Sequence, residues 1–154
     1  YVKCWEEFEF ICGSLEAIGN LSKKFGKIIL VTNQRGIGKG LMAESDLFFI
    51  HDKMLSEIKK NHGHIDKIYF CADISDKSQN RKPNIGMALM AKKDFPDIDF
   101  NKSVIIGDSE SDIQFGKKLG MKTILIQNKN LEVDSEADIL QKNLIEADKC
   151  IINE

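Results

Sequence analysis

The sequence predicts an α/β fold, a doubly wound parallel sheet covered by helices, and three observations predict it. Short β-branched apolar runs alternate with segments of helical periodicity along the chain. The apolar runs are nearly continuous, as in strands buried on both faces. No repeat, low-complexity tract or linker breaks the alternation, so residues 1–154 are expected to form one domain, long enough to bury a core.

Ser14 to Lys24 reads as a helix, with Leu15, Ile18 and Leu21 on one face and Gly26 as a stop. Lys27 to Thr32 (KIILVT) is the first strand, and Asn33 to Gly40 a glycine-rich loop. Glu44 to Lys60 carries Leu47, Ile50, Met54, Leu55 and Ile58 at helical spacing. Lys67 to Cys71 (KIYFC) is the second strand, followed by a polar loop from Ala72 to Lys82. Pro83 suits the first turn of a helix that continues through Met87, Met90 and Ala91. Ser103 to Ile106 is the third strand and leads into Gly107-Asp108. A helix from about Ser111 to Leu119 ends at Gly120, and Lys122 to Ile126 is the fourth strand. Asn143 to Ile151 reads as a closing helix.

Composition narrows the function classes. A net charge of -2, with lysines scattered along the chain, argues against a general nucleic-acid or membrane-surface binder. No apolar run is long enough to span a bilayer, and no signal peptide is visible. Cys4, Cys12, Cys71 and Cys150 form no C-x-x-C pair and match no zinc spacing. Cys4 and Cys12 could pair in an oxidising compartment, but reduced thiols in a cytoplasmic protein are the simpler reading. The expectation is a monomeric cytoplasmic protein with no membrane or nucleic-acid partner.

In parallel sheets chemistry gathers at the carboxyl ends of the strands. Thr32, Asn33 and Gln34 follow the first strand, Arg81 and Lys82 lie beyond the second, and Asp108 follows the third. A hydroxyl, an amide and backbone N–H groups can hold phosphate oxygens, and Lys and Arg neutralise their charge. Aspartate is a hard oxygen ligand suited to Mg²⁺. Each feature has a plainer reading. Gly36-Ile37-Gly38-Lys39-Gly40 lacks the glycine and hydroxyl positions of a Walker loop and the third glycine of a dinucleotide fingerprint, so it can be a simple turn. Asp108 could merely cap a helix, and Lys82 could be a surface lysine. Their joint placement at strand ends favours a phosphate site. His51, His62 and His64 lie on or beside the long helix and read as solvent-facing.

With those residues in place, the chain resembles the haloacid dehalogenase (HAD) superfamily. Thr32 is similar to its second motif, Lys82 to its third, and Gly107-Asp108-Ser109-Glu110-Ser111-Asp112 to its fourth, G-D-x-x-x-D. Val31-Thr32-Asn33-Gln34-Arg35-Gly36-Ile37 and Arg81-Lys82-Pro83-Asn84-Ile85-Gly86-Met87 resemble the capless branch that holds sugar-bisphosphate and histidinol phosphatases. The resemblance implies a Rossmann-like HAD fold and phosphomonoester hydrolysis through an aspartyl phosphate, with Mg²⁺ as cofactor. It implies that Thr32 and Lys82 hold the phosphoryl oxygens and that Asp108 binds the metal. Asn33, Gln34 and Arg81 would contact a small phosphorylated substrate, and Asp112 would position Lys82 or a metal water.

Three departures qualify it. The D-x-D-G motif that supplies the nucleophile and the acid–base aspartate is absent from these 154 residues. The resemblance implies a central strand carrying it, upstream of Tyr1. The loop 72–80 follows Cys71 without another Cys or His, so no zinc is expected there, and the loop is too short for a cap domain. Ser109 stands where Lys or Arg is usual after the metal aspartate, so one phosphate contact is lost. The leading expectation is a phosphatase of small metabolites, with heptose 1,7-bisphosphate as one candidate. The alternatives are a phosphatase for histidinol phosphate or another ester, and a degenerate domain that binds phosphate or a partner without turnover.

Overall fold

The structure is a computed structural model and describes residues 1–127 and 134–151. Among the described residues, eleven α-helices and β-strands occur in the order α1 Ser14–Lys24, β1 Ile29–Asn33, α2 Arg35–Gly38, α3 Glu44–Lys60, β2 Lys67–Cys71, α4 Gly86–Asp94, β3 Val104–Gly107, α5 Glu110–Leu119, β4 Lys122–Ile126, β5 Ile139–Gln141 and α6 Leu144–Lys149. Every strand pair among the described residues is parallel. The strands form two sheets, β1–β2 and β3–β4–β5. The described residues divide accordingly into two compact units, one of residues 1–78 and one of residues 79–127 and 134–151.

In the first unit β1 and β2 pair in register from Ile29 opposite Lys67 to Asn33 opposite Cys71. Leu47 and Ile50 of α3 are buried with Met42, and Trp5, Phe8, Ile37 and Phe70 pack on that cluster. Ala17 and Leu21 of α1 and Met54 and Ile58 of α3 extend the core. Leu47, Ile50, Met54 and Ile58 are one helical face, which is why this long amphipathic helix folds onto the sheet.

In the second unit β4 lies between β3 and β5. Ile105 and Ile124 from the strands and Ile113 and Phe115 from α5 are buried, and α5 packs on β3 and β4. Gly120 ends α5 in the left-handed conformation at φ 77°, where a side chain would be strained.

The structure corrects several boundaries. β1 begins at Ile29 and runs through Asn33. The expected loop after it contains the single helical turn α2. α4 starts at Gly86, because residues 79–85 are spent on a turn that contains Pro83. There the Asn84 N–H donates to the Arg81 carbonyl at 2.8 Å and the Gly86 N–H to the Gln79 carbonyl at 2.9 Å. β5 was not anticipated, being three residues long with Leu140 half exposed. It is held through Asp138, whose carboxylate accepts from the Thr123 N–H at 2.8 Å and the Thr123 hydroxyl at 3.0 Å. α6 is shorter than expected and is capped by Asn143, whose side-chain oxygen accepts from the Glu146 N–H at 2.9 Å.

Candidate active site

In the first unit the carboxyl end of β1 presents Thr32 and Asn33. The Gln34 N–H donates to the Cys71 carbonyl at 2.7 Å, extending the β1–β2 pairing by one residue. Alternation along a strand puts residues 32 and 34 on one side. The Gln34 side chain folds back, and its Nε2 donates to Thr32 Oγ1 at 3.0 Å. Arg35 turns to the loop after β2, where its Nη2 lies 2.6 Å from Asp76 Oδ1. Cys71 is a buried thiol 3.9 Å from Ser78 Oγ. All four cysteines are free.

In the second unit Arg81 and Lys82 occupy the turn before α4, and the Lys82–Pro83 peptide is cis. Lys82 Nζ donates to Asp112 Oδ1 at 2.5 Å, and the two side chains are only 10% and 8% exposed. Asp112 sits in the first turn of α5. Its Oδ2 accepts from the Ser109 hydroxyl at 3.0 Å and the Ser109 N–H at 3.3 Å. Such a folded-back carboxylate needs space. A Cβ on Gly107 would lie 2.5 Å from the Cγ of Asp112 and closer still to its Cβ and Oδ2. The glycine of G-D-x-x-x-D therefore clears room for the final aspartate.

Asp108 has the opposite environment. It follows β3, is exposed, and makes no hydrogen bond or ion pair with any described residue. The lysine charge is met by Asp112, and the Asp108 carboxylate is left uncommitted. A single free carboxylate suits Mg²⁺, which keeps several waters and takes one or two protein carboxylates. Among the described residues no group of three or more His, Cys, Asp and Glu converges into a fuller metal cage.

The sequence holds one D-x-D run, Asp97-Ile98-Asp99. It precedes β3, at the amino end of that strand, and the Asp99 side chain accepts from the Asn101 N–H at 3.0 Å. It is a loop cap, not a nucleophile motif. His51 is half buried on α3 rather than solvent-facing, and burial holds it below the ordinary imidazole range, with Asp52 opposing. His64 is exposed and lies 3.3 Å from Asp66. Sequence reasoning missed the Gln34–Thr32 bond and the Arg35–Asp76 pair. The first was detectable from strand alternation, whereas the second depends on the path of the loop.

Parallel strands carrying Thr-Asn-Gln at one carboxyl end and G-D-x-x-x-D at another, with a lysine paired to the last aspartate, define a HAD-type phosphatase. The HAD-hydrolase-like family model matches residues 79–148. D-glycero-alpha-D-manno-heptose-1,7-bisphosphate 7-phosphatase of Campylobacter jejuni is 38% identical over 148 residues, 95% of this chain and 83% of that protein. The Burkholderia mallei protein of the same name is 40% identical over 135 residues, 82% and 70% of the two chains. The crystal structure of D,D-heptose 1,7-bisphosphate phosphatase from B. bronchiseptica, complexed with magnesium and phosphate, superposes with a TM-score of 0.85 at 28% identity. It covers 97% of this chain and 87% of that one. The chain belongs to this family of HAD-superfamily sugar-phosphate phosphatases.

Proposed function

We propose that the protein is a Mg²⁺-dependent phosphomonoesterase of a heptose 1,7-bisphosphate, with residues 1–154 forming one HAD-like domain, without the D-x-D-G strand, of a cytoplasmic, monomeric enzyme of carbohydrate metabolism. The observation that carries the reading is the buried 2.5 Å Lys82–Asp112 pair in the same unit as an uncommitted Asp108. This arrangement holds the lysine side chain in one orientation and leaves a carboxylate available. Thr32 and Lys82 are assigned to donate to phosphoryl oxygens. Asp108 is assigned to hold Mg²⁺, and Asn33 and Arg81 to contact the substrate. When bound, Mg²⁺ supplies charge neutralisation at the transferring phosphoryl group. Lys82 adds to that neutralisation, and Asp112 fixes where its ammonium points. The nucleophile and the acid–base group belong to a D-x-D-G motif that these 154 residues do not contain.

The relatives at 38% and 40% identity are named for the α anomer, and those at 29% and 31% for the β anomer. This favours the α-1,7-bisphosphate and release of the 7-phosphate. Phosphate release should be measured on both anomers, on the 1- and 7-monophosphates and on histidinol phosphate, with Mg²⁺ and with EDTA. Metal-dependent turnover that prefers the α-bisphosphate is expected. Equal or better turnover of histidinol phosphate would overturn the substrate, and phosphate binding without turnover would leave a binding domain.

A further inference from the structure

We infer that Gln34 is a positioning residue that aims the Thr32 hydroxyl at the phosphoryl group, an inference that rests on Thr32 being a phosphate donor. A hydroxyl has one proton and two lone pairs. Gln34 Nε2, an N–H donor, fills one lone pair at 3.0 Å. Thr32 therefore acts as acceptor toward Gln34, and its own proton must point elsewhere. The one acceptor for that proton among the described residues is the Asn33 carbonyl, at 3.5 Å. That is the outer limit of a hydrogen bond, so the proton is weakly held. A phosphoryl oxygen would offer it a shorter, charge-assisted bond. Accepting the amide bond also polarises the O–H and makes it a better donor.

The geometry that keeps Gln34 in this role comes from the backbone. Its N–H is bonded to the Cys71 carbonyl at 2.7 Å, so its place at the strand end is fixed by the sheet. Residues 32 and 34 share a side, and a glutamine is long enough to reach back two positions. An asparagine at 34 would be one methylene shorter. A glutamate would reverse the bond, taking the threonine proton for itself and removing it from the phosphate.

The test is a double-mutant cycle in the protein with its Mg²⁺, using Gln34→Met, Thr32→Val and the double variant, each checked for an unchanged unfolding transition. Losing one orienting bond should lower kcat roughly fivefold to tenfold in Gln34→Met, with KM changed less than about twofold. In the Thr32→Val background Gln34→Met should have no further effect on kcat. Equal losses in both backgrounds, or a raised KM at unchanged kcat, would overturn the inference and make Gln34 a direct substrate contact. A wild-type protein without turnover would overturn the phosphatase reading instead. The same cycle, read as affinity for inorganic phosphate in the presence of Mg²⁺, would then still decide whether Gln34 acts through Thr32.

Discussion

Replacing Asp112 by alanine should be the most damaging single change in the second unit. The pair it breaks is short, at 2.5 Å, and nearly closed to solvent on both sides. Removing one partner of such a pair typically costs about 3–5 kcal/mol, because the remaining charge stays buried. Lys82 has further polar contacts, so the lower end applies, about 3 kcal/mol. Loss of the two bonds from Ser109 at the helix start adds about 1 kcal/mol. A total near 4 kcal/mol in a chain of this size lowers Tm by roughly 8–16 °C. Thermal unfolding followed by circular dichroism reads this directly. The control is Lys82→Met combined with Asp112→Leu, which removes both charges at similar volume and should restore most of the stability. The control should stay catalytically dead if Lys82 holds the phosphoryl group as proposed. A Tm loss below about 2 °C for Asp112→Ala would refute the reasoning, because the pair would then be screened like a surface pair.

Gly107→Ala should resemble Asp112→Ala in unfolding assays, since its Cβ would overlap the Asp112 carboxylate; a Tm within about 1 °C of wild type would mean that α5 shifts freely. Asp108→Asn should abolish Mg²⁺-dependent phosphate release and leave Tm within about 1 °C, because the carboxylate is exposed and uncommitted; retained activity would sink the metal assignment. Asp138 is held below the ordinary carboxylate range, first by the Thr123 N–H bond and then by Lys117 and the Thr123 hydroxyl. A depressed folded-state value means that its contribution is present above the unfolded value of about 4 and is lost as pH falls through the folded one. Asp138→Asn should therefore flatten the acid end of the stability–pH curve, and an unchanged curve would show that this clip is not linked to protonation.

The strands and long helices were legible because their residues carry period and composition. Glu44 to Lys60 is the clearest case, since its apolar residues fall on one face whatever they pack against. What was not legible depended on atoms from distant residues. Pro83 looked like a helix start, but Gly86 and Asn84 bond back to Gln79 and Arg81 and hold the segment as a turn. β5 has too few apolar residues to announce itself, and exists because Asp138 bonds to Thr123, fifteen positions away. Local pattern also could not show that Arg35 is met by Asp76, because that pair depends on the path of the loop after β2.

The two aspartates of Gly107-Asp108-Ser109-Glu110-Ser111-Asp112 are chemically identical in the sequence, and the backbone alone separates their roles. Asp108 leaves the strand end into solvent and keeps its oxygens free. Asp112 is one helical turn further on, so its side chain returns over the start of the helix, into the space that Gly107 leaves open. There it meets the Lys82 ammonium and two donors from Ser109, and no oxygen remains to serve a cation on equal terms. Three bonds of commitment on one carboxylate and none on the other are not interchangeable. Exchanging their functions would require moving the glycine, since a side chain at 107 pushes Asp112 off the lysine before it touches Asp108. The spacing G-D-x-x-x-D is thus a steric instruction: the first position opens the space, the second stays free in solvent, and the sixth turns back to hold the lysine.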